Sequence, residues 1–156
     1  MEIAILAVGK LRPYYRQAGD DYIRRLGRYV SISEREVREA SRAPNPTSQL
    51  ADEAKRLEAK VPSGSTVVAL TRDGSGWSSR ELAAQIDRWL MASRPVTVMI
   101  GGSHGLDPSL LARAHSRWSL GPLTLPHELA RVVVLEQLYR AFTILRGESY
   151  HKGRER

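Results

Sequence analysis

A short segment near the C-terminus holds side chains that could bind or modify a nucleic-acid base. Tyr150, His151 and Lys152 follow one another directly, and Arg146 stands four residues before Tyr150. A tyrosine ring can stack on a base, a histidine can exchange protons near neutral pH, and the cations can bind phosphate. The last residues of a chain are also commonly frayed and without function. Residue chemistry alone leaves both interpretations open.

A glycine-rich stretch, Gly101-Gly102-Ser103-His104-Gly105-Leu106, lies between an apolar run and a helix start. Its glycines allow positive φ and a close approach of the backbone to a ligand, and the amides of the next helix would suit a carboxylate or phosphate. The alternative is a tight turn in which the glycines serve only the bend. The Rossmann pattern G-x-G-x-x-G is missing after the first predicted strand, and the P-loop pattern G-x-x-x-x-G-K-[ST] does not occur.

A second unusual stretch, Leu120-Gly121-Pro122-Leu123-Thr124-Leu125-Pro126-His127, alternates leucines with residues that stiffen the chain. Such a loop would expose backbone N–H and C=O groups beside apolar side chains, and this combination suits a flat aromatic base. The alternative is a connector that crosses the core, with a proline that starts the next helix.

Several other kinds of chemistry find no support in the sequence. The chain has no cysteine, which excludes disulfides, thiolate zinc sites, iron–sulfur clusters and a cysteine nucleophile. Its four histidines show neither the H-E-x-x-H spacing nor paired carboxylates, so no catalytic metal is expected. The G-x-S-x-G pattern of serine hydrolases is absent as well.

The chain is basic and of single-domain size. It has 156 residues, with 24 lysines and arginines, 17 acidic residues and a formal charge of +7. This length predicts one domain over residues 1–156. The charge favours a polyanionic partner such as nucleic acid, although a basic surface also aids solubility. The cations concentrate in an early segment and at the C-terminal end: Arg24, Arg25, Arg28, Arg146, Lys152, Arg154 and Arg156.

Apolar runs and amphipathic helices alternate along the chain. Buried strands are predicted at residues 3–8, 66–70 and 96–100, a charged strand near residues 32–37, and a short strand near residues 118–120. Helices are expected after Pro13, from Thr47 or Ser48, from the capping box Ser78 and Glu81, after Asp107-Pro108, and over residues 126–145. The alternation predicts an α/β fold with a mostly parallel sheet flanked by helices, and ligands bind such sheets at the carboxyl ends of the strands.

The predicted helix over residues 126–145 is apolar on several sides, so it must be buried on several sides. Since a small domain offers little interior for such a helix, we expect part of its surface to pair with a second subunit. No segment approaches the ~20 apolar residues of a membrane span, and residues 1–8 lack the features of a signal peptide. A cytoplasmic location without membrane contact is therefore expected.

Four motifs, in this order, resemble one known family. They are Ile100-Gly101-Gly102-Ser103-His104-Gly105-Leu106, Leu123-Thr124-Leu125-Pro126-His127, Glu136-Gln137-Leu138-Tyr139-Arg140-Ala141 and Tyr150-His151-Lys152. On these residues the chain is similar, over nearly its whole length, to the RlmH (YbeA-type) ribosomal RNA methyltransferases of the SPOUT, or trefoil-knot, superfamily. It departs from that family in a tail that continues as Gly153-Arg154-Glu155-Arg156 and at Gly121-Pro122.

The resemblance implies a homodimeric enzyme that uses S-adenosylmethionine to methylate N3 of a pseudouridine in 23S rRNA on the assembled ribosome. It also implies a C-terminal trefoil knot, which the sequence pattern does not predict because knots are almost absent from proteins. Matched residue by residue, the cofactor pocket would use one strand end, the double glycine and the stiff loop: Leu70, Gly101, Leu120, Gly121, Pro122, Leu123, Thr124 and Leu125.

The resemblance also points to catalytic roles. Methyl transfer from a sulfonium is an in-line displacement, so alignment of the nucleophile with the methyl carbon dominates catalysis. N3 of pseudouridine must lose its proton, and we expect Arg140 to stabilise the developing anion. Tyr150 and His151 would position the base or relay its proton. The alternatives are a methyltransferase for another RNA such as tRNA, and a ribosome-binding factor without enzymatic activity.

Overall fold

The computed structural model describes residues 1–152 as an α/β fold. Its strands are Glu2–Val8 (β1), Ser31–Val37 (β2), Thr66–Ser75 (β3), Val96–Ile100 (β4) and Ser116–Trp118 (β5). Its helices are Pro13–Leu26 (α1), Pro46–Glu58 (α2), Ser79–Ala92 (α3), Pro108–Arg113 (α4) and His127–Leu145 (α5). The five strands form one sheet in the order β2-β1-β4-β3-β5, and all neighbouring strands are parallel. The predicted fold class is confirmed.

Apolar side chains of the strands point alternately into two cores, one on each face of the sheet. On one face α1, α3 and α5 pack over Ile3, Ile5 and Val98. On the other face α2 and α4 pack over Leu6 and Met99. Because both faces are covered, β4 is buried along its whole length, as its continuous apolar run predicts.

Two of the helices begin where their capping residues predict. At the start of α3, Ser78 Oγ accepts a hydrogen bond from the Glu81 amide at 3.1 Å, and the Glu81 carboxylate accepts one from the Ser78 amide at 2.7 Å. This is the predicted capping box. At α4, Asp107 caps the helix and Pro108 is its first residue, also as predicted. These caps hold both helices next to the carboxyl ends of the strands.

Helix α2 begins earlier than predicted. Its first residue is Pro46, whereas the sequence pattern favoured an entry from Thr47 or Ser48. The side chain of Asn45 accepts a hydrogen bond from the Ser48 amide at 2.8 Å, so Asn45 caps the helix. An asparagine followed by proline at the first helical position is a strong start signal, and it determines the boundary here.

Strand β3 runs beyond its predicted end at Leu70. It continues to Ser75, with a register shift between Leu70 and Ser75 opposite Trp118 of β5. Gly74 permits this pairing, because a Cβ at that position would lie 2.7 Å from the backbone of Arg117 and Trp118. The irregular stretch places residues 71–73 beside the carboxyl ends of the strands, where ligands of parallel sheets bind.

Helix α5 is buried on several sides, as predicted, but most of its cover comes from the same chain. It lies over the sheet between α1 and α3. The part that they leave half-buried is a stripe at helical spacing, here called the α5 stripe: Leu129, Val132, Val133, Glu136, Gln137, Arg140 and Ile144. None of the helices within residues 1–152 has the length and apolarity of a membrane span.

Candidate active site

A cleft of about 440 Å³ opens at the carboxyl ends of β3 and β4. Three segments form its walls: the end of β3 with its irregular stretch, the glycine loop after β4, and the stiff loop after β5. The lining residues are 70–73, 100–106, 111, 119–121, 123–125, 127 and 130. This is the edge of the sheet at which strand order and direction place ligands. We call it the first cleft.

The first cleft gathers nearly all residues predicted to bind the cofactor. Seven of the eight line it: Leu70, Gly101, Leu120, Gly121, Leu123, Thr124 and Leu125. Pro122 is exposed and does not belong to the lining, so its part is limited to stiffening the loop. The structure thus brings together three segments that are far apart in sequence. Their contact with a cofactor stays a prediction.

The glycine loop folds back on itself at the cleft wall. Gly105 has a φ of +77°, and its amide donates a hydrogen bond to the Gly102 carbonyl at 3.1 Å. A Cβ on Gly101 would lie 2.3 Å from the backbone of Gly105, so the loop itself excludes any side chain there. The glycines therefore serve the bend, as the simpler interpretation held, and the bend is what forms the wall.

The stiff loop is held by its own backbone and leaves an apolar side chain open. Ser119 Oγ accepts a hydrogen bond from the Gly121 amide at 3.1 Å, and Gly121 has a φ of +114°. Leu123, in the wall of the first cleft, is 77% exposed. A leucine at the wall of a concave site gains by being covered, and a flat apolar ring would cover it.

Two charged residues at the first cleft were not predicted. Arg72 and Asp73 line it and are exposed. Sequence reasoning missed them because their composition is typical of a turn. Their position directly after a buried strand, at the ligand-binding edge of the sheet, was the available signal.

The three predicted catalytic residues lie together around one carboxylate. Glu136 Oε1 accepts hydrogen bonds from Arg140 Nε at 2.8 Å and from the Tyr150 hydroxyl at 3.3 Å. The guanidinium of Arg140 lies over the Tyr150 ring at 4.8 Å, and its Nη1 is 3.2 Å from His151 Nδ1. Since arginine can only donate, His151 Nδ1 accepts this hydrogen bond. We call these four residues the tail cluster.

The tail cluster docks onto α5 through Tyr150. Its ring meets the ring of Tyr139 edge-on at a centroid distance of 4.7 Å, so the segment is packed at this residue. Burial raises the pKa of Tyr150 to about 12, helped by a hydrogen bond with Tyr22 and by the charge of Glu136. The Tyr150 hydroxyl is therefore protonated at neutral pH and is a donor. The departure at Gly153-Arg154-Glu155-Arg156 lies outside the described residues.

Glu136 and Gln137 belong to the third of the four family motifs, but the sequence predicts no role for either residue. Beyond its contacts in the tail cluster, Glu136 accepts a hydrogen bond from Gln137 Nε2 at 2.7 Å. Gln137 Oε1 in turn accepts one from Ser79 Oγ of α3 at 2.7 Å. The i, i+4 spacing of Glu136 and Arg140 was the sequence signal for the ion pair. The bond from Ser79 had no such signal.

The tail cluster does not line the first cleft. Ala130 is the last α5 residue in that lining, and Arg140 stands ten residues later, or about 15 Å along the helix axis. A second cleft, of about 300 Å³, fills this interval. It shares residues 119–121 with the first cleft and reaches Gln137, which is bonded to Glu136. The second cleft thus extends from the first cleft to Gln137, the hydrogen-bond partner of the tail cluster.

The two predicted basic clusters come together beside the tail cluster. The guanidinium of Arg25 lies 5.6 Å from the Tyr139 ring centre, and that of Arg146 lies 5.7 Å from the Tyr29 ring centre. The Tyr29 and Tyr139 rings are 6.2 Å apart. We call the surface formed by these cations and their neighbours the basic surface: Arg24, Arg25, Arg28, Arg146 and Lys152. Arg154 and Arg156 lie outside the described residues.

Comparison with known proteins decides the family. The family profile described as "Predicted SPOUT methyltransferase" matches residues 1–151. The chain belongs to the SPOUT methyltransferase family. Proteins named "Ribosomal RNA large subunit methyltransferase H" are 40% identical in Pseudomonas paraeruginosa and 41% in Chromohalobacter salexigens, each over 97% of this chain and 100% of the relative. The resemblance and the methyltransferase assignment are confirmed, and with them S-adenosylmethionine, the methyl donor of this type of enzyme.

Solved structures agree on the fold. A probable methyltransferase from Bordetella pertussis superposes with a TM-score of 0.56 at 16% identity, covering 89% of this chain and 93% of the other. A probable methylase family protein from Haemophilus influenzae gives 0.54 at 13% identity, covering 93% of this chain and 66% of the other. At these identities the likeness concerns the fold alone. The trefoil knot stays a prediction for this chain.

Proposed function

We propose that this SPOUT methyltransferase transfers the methyl group of S-adenosylmethionine to N3 of a pseudouridine in 23S rRNA of the assembled ribosome. One observation carries the proposal: the first cleft gathers seven of the eight predicted cofactor residues at the ligand-binding edge of the sheet. Relatives at 40% identity, named as ribosomal RNA large subunit methyltransferases, support the choice of RNA. A cytoplasmic location with the ribosomes belongs to the same proposal.

The residues of the first cleft fit S-adenosylmethionine. The open side chain of Leu123 and its apolar neighbours suit the flat adenine. The cofactor's amino-acid end carries both an ammonium and a carboxylate, and Asp73 and Arg72 supply the two opposite charges at the cleft. When bound, S-adenosylmethionine supplies an electrophilic methyl carbon. Leu70, Gly101 and the stiff loop would hold it through backbone and apolar contacts.

The tail cluster supplies oriented hydrogen-bond donors. Glu136 pairs with Arg140 through Nε and Nη2, which fixes the plane of the guanidinium. Arg140 is the group that would stabilise negative charge developing on the base as N3 loses its proton. Tyr150, which stays protonated, would donate a hydrogen bond to the base or hold it in place. With Nδ1 accepting from Arg140, a neutral His151 carries its proton on Nε2.

The basic surface supplies attraction for the RNA backbone next to the tail cluster. Residues 1–152 form one α/β fold, and we expect the shape of the assembled ribosomal site to provide most of the specificity. Electrostatic attraction should then make binding fall with salt, with a slope of roughly −0.7 per single-strand phosphate contacted. A homodimer, paired through the apolar residues Leu129, Val132 and Ile144 of the α5 stripe, is part of the proposal.

A labelling experiment tests the proposal. The full chain is incubated with labelled S-adenosylmethionine and one of three acceptors: ribosomes lacking this modification, a naked hairpin of the same sequence, or tRNA. We expect label on whole ribosomes only, at N3 of one pseudouridine, as mapped by nuclease digestion and mass spectrometry. Labelled tRNA would instead identify another RNA as the substrate. Equal labelling of hairpin and ribosome would contradict recognition of the assembled site.

A further inference from the structure

The proposed function gives no role to the second cleft, although this cleft lies next to both groups of predicted site residues. It shares residues 119–121 with the first cleft, where the methyl donor would lie. On its other side Gln137 is hydrogen-bonded to Glu136 of the tail cluster. A ring held in this cleft would therefore lie between the methyl donor and Arg140. That is the position a methyl acceptor must take.

The walls of the second cleft suit a flat and partly polar ring. Trp77 and Trp118 both line it, with their ring centres 5.9 Å apart, and Leu82 and Leu120 add apolar surface. Polar groups come from the α3 start and from α5: Ser78, Ser79 and Gln137. Apolar walls with a few placed polar groups are typical of small-ligand sites.

Gln137 has hydrogen-bonding capacity left for a ligand. A side-chain amide offers two N–H donors and two acceptor lone pairs. The bond from Ser79 Oγ to Oε1, at 2.7 Å, occupies one lone pair, and the bond from Nε2 to Glu136, at 2.7 Å, occupies one N–H. The two bonds also fix which end of the amide is oxygen. One donor and one acceptor of the same amide group remain.

A neighbouring donor and acceptor complement a ring edge on which an N–H stands next to a C=O. In uridine such an edge exists only at N3, which is the atom to be methylated and must stay free. Pseudouridine is joined to its sugar through carbon, so it has a second such edge at N1–H and C2=O. Binding that edge leaves N3 open to the methyl carbon.

We propose that the second cleft binds the target pseudouridine and that Gln137 is the residue that distinguishes it from uridine. The free lone pair of Gln137 accepts N1–H, and its free N–H donates to C2=O. Uridine presents a C–H in place of N1–H, which leaves the acceptor of Gln137 unpaired. A site built to bond an N–H discriminates strongly against an analogue that lacks it. This inference rests on the proposed function and adds its specificity.

The test compares two acceptors and measures selectivity. Ribosomes without the methyl group are prepared with either pseudouridine or uridine at the target position, and kcat/KM is measured on both. We expect wild-type protein to prefer pseudouridine and Gln137→Leu to lower that preference about tenfold or more. Cofactor affinity should not change, because Gln137 does not line the first cleft. Gln85→Leu, the same substitution on α3 outside both clefts, should keep the preference.

A second variant, Gln137→Met, keeps the side-chain length but loses both the acceptor and the N–H donors, and it provides the measurement if Gln137→Leu folds poorly. A loss of preference in either folded variant supports the inference. An unchanged preference in both overturns it, even if their turnover falls, and so does a wild-type protein that methylates uridine equally well. If wild-type protein methylates neither ribosome, the proposed function fails and the inference fails with it.

Discussion

Arg140 is held in an ion pair, and this changes how it can act on a base. Its Nε and Nη2 bind Glu136, so its charge is largely balanced within the tail cluster. What remains for a substrate is a donor of fixed direction at Nη1, which now meets His151. Preorganised donors stabilise developing charge without reorganisation at the moment of reaction. The arginine thus acts through its geometry more than through its net charge.

Separate Arg140→Ala, Tyr150→Phe and His151→Ala variants test the tail cluster. We expect each to bind S-adenosylmethionine with unchanged affinity by calorimetry, because none of the three lines the first cleft. Turnover on ribosomes should fall about 100-fold for Arg140→Ala, the scale for loss of a preorganised donor. Tyr14→Phe, at an exposed tyrosine outside the tail cluster, is the control. Full turnover in all three variants would contradict the assigned roles.

Gly101→Ala tests whether the glycine loop forms the cofactor wall. The added Cβ would lie 2.3 Å from the backbone of Gly105, so the loop must shift. We expect affinity for S-adenosylmethionine to fall at least about tenfold by calorimetry, the equivalent of roughly 1.4 kcal/mol. The control is Gly76→Ala, where a Cβ meets nothing within 4 Å. Equal affinity of Gly101→Ala and wild type would show that this wall does not touch the cofactor.

At the scale of elements, a buried arginine holds the start of α5 against the sheet. Arg131 is 1% exposed, and its Nη2 donates to the Gly9 carbonyl at 2.9 Å. Its Nη1 pairs with Glu34 and Glu36 of β2. These bonds place the α5 residues that line the first cleft. A buried ion pair of this kind constrains position even where its net contribution to stability is small.

Arg131→Leu should be strongly destabilising. Within residues 1–152 it leaves Glu34 and Glu36 with the partly exposed Arg16 as their cationic partner, and breaking a buried pair from one side costs about 3–5 kcal/mol. Urea unfolding followed by circular dichroism measures the change. Arg35→Leu, at an exposed position of the same strand, should shift the midpoint little. A loss under about 1 kcal/mol for Arg131→Leu would contradict its anchoring role.

Glu128 makes the anchoring of α5 sensitive to acid. Burial by itself would raise its pKa, but hydrogen bonds from the amide and Nε of Arg12, at 2.6 and 2.8 Å, outweigh burial and lower it. A carboxylate with a lowered pKa stabilises the fold fully above its unfolded pKa of about 4.3. That stabilisation is lost as pH falls through the lower, folded value.

The pH dependence of unfolding measures this effect. Glu128→Gln should lower the urea midpoint at pH 6, where wild-type Glu128 is charged, and the difference between the two proteins should shrink towards pH 3. A difference that is constant with pH would refute the linkage.

Elements were predictable where a cap or a continuous apolar run marked them. Ser78 and Glu81 begin α3, and the apolar run 96–100 is a strand buried on both faces, as predicted. The extension of β3 to Ser75 was not predictable, because it depends on pairing with β5, more than forty residues later in the chain. Turn-forming residues can enter a sheet when a neighbouring strand satisfies their backbone groups.

At the scale of the whole molecule, the apolar part of the α5 stripe is the surface best suited to a second copy. The chain's own helices leave Leu129, Val132 and Ile144 half-buried along one line. Leu145, next to this line, is 37% exposed. Apolar surface of this kind marks protein contacts when it is contiguous. A twofold pairing would bring these apolar residues of two copies together.

Val132→Asp tests this pairing. Analytical ultracentrifugation should show wild-type protein at twice its chain mass of 17.4 kDa and the variant at the single mass. A charge introduced on each side of a twofold interface faces its own copy, so repulsion adds to desolvation. Met91→Asp, at a 79% exposed methionine of α3, should leave the dimer intact. A monomeric wild type, or a dimeric Val132→Asp, would contradict the proposed interface.

The sequence by itself determined the α/β alternation, the main helix caps, the residues of the glycine and stiff loops, and the family. These features depend on neighbours within a few positions, or on motifs that are read directly. Only the tertiary structure decided that about 15 Å of α5 separates the first cleft from Arg140, and that a second cleft joins them. The bond from Ser79 to Gln137 spans 58 residues, and no local pattern encodes it. Contacts of that separation arise when α3 and α5 pack on the same face of the sheet.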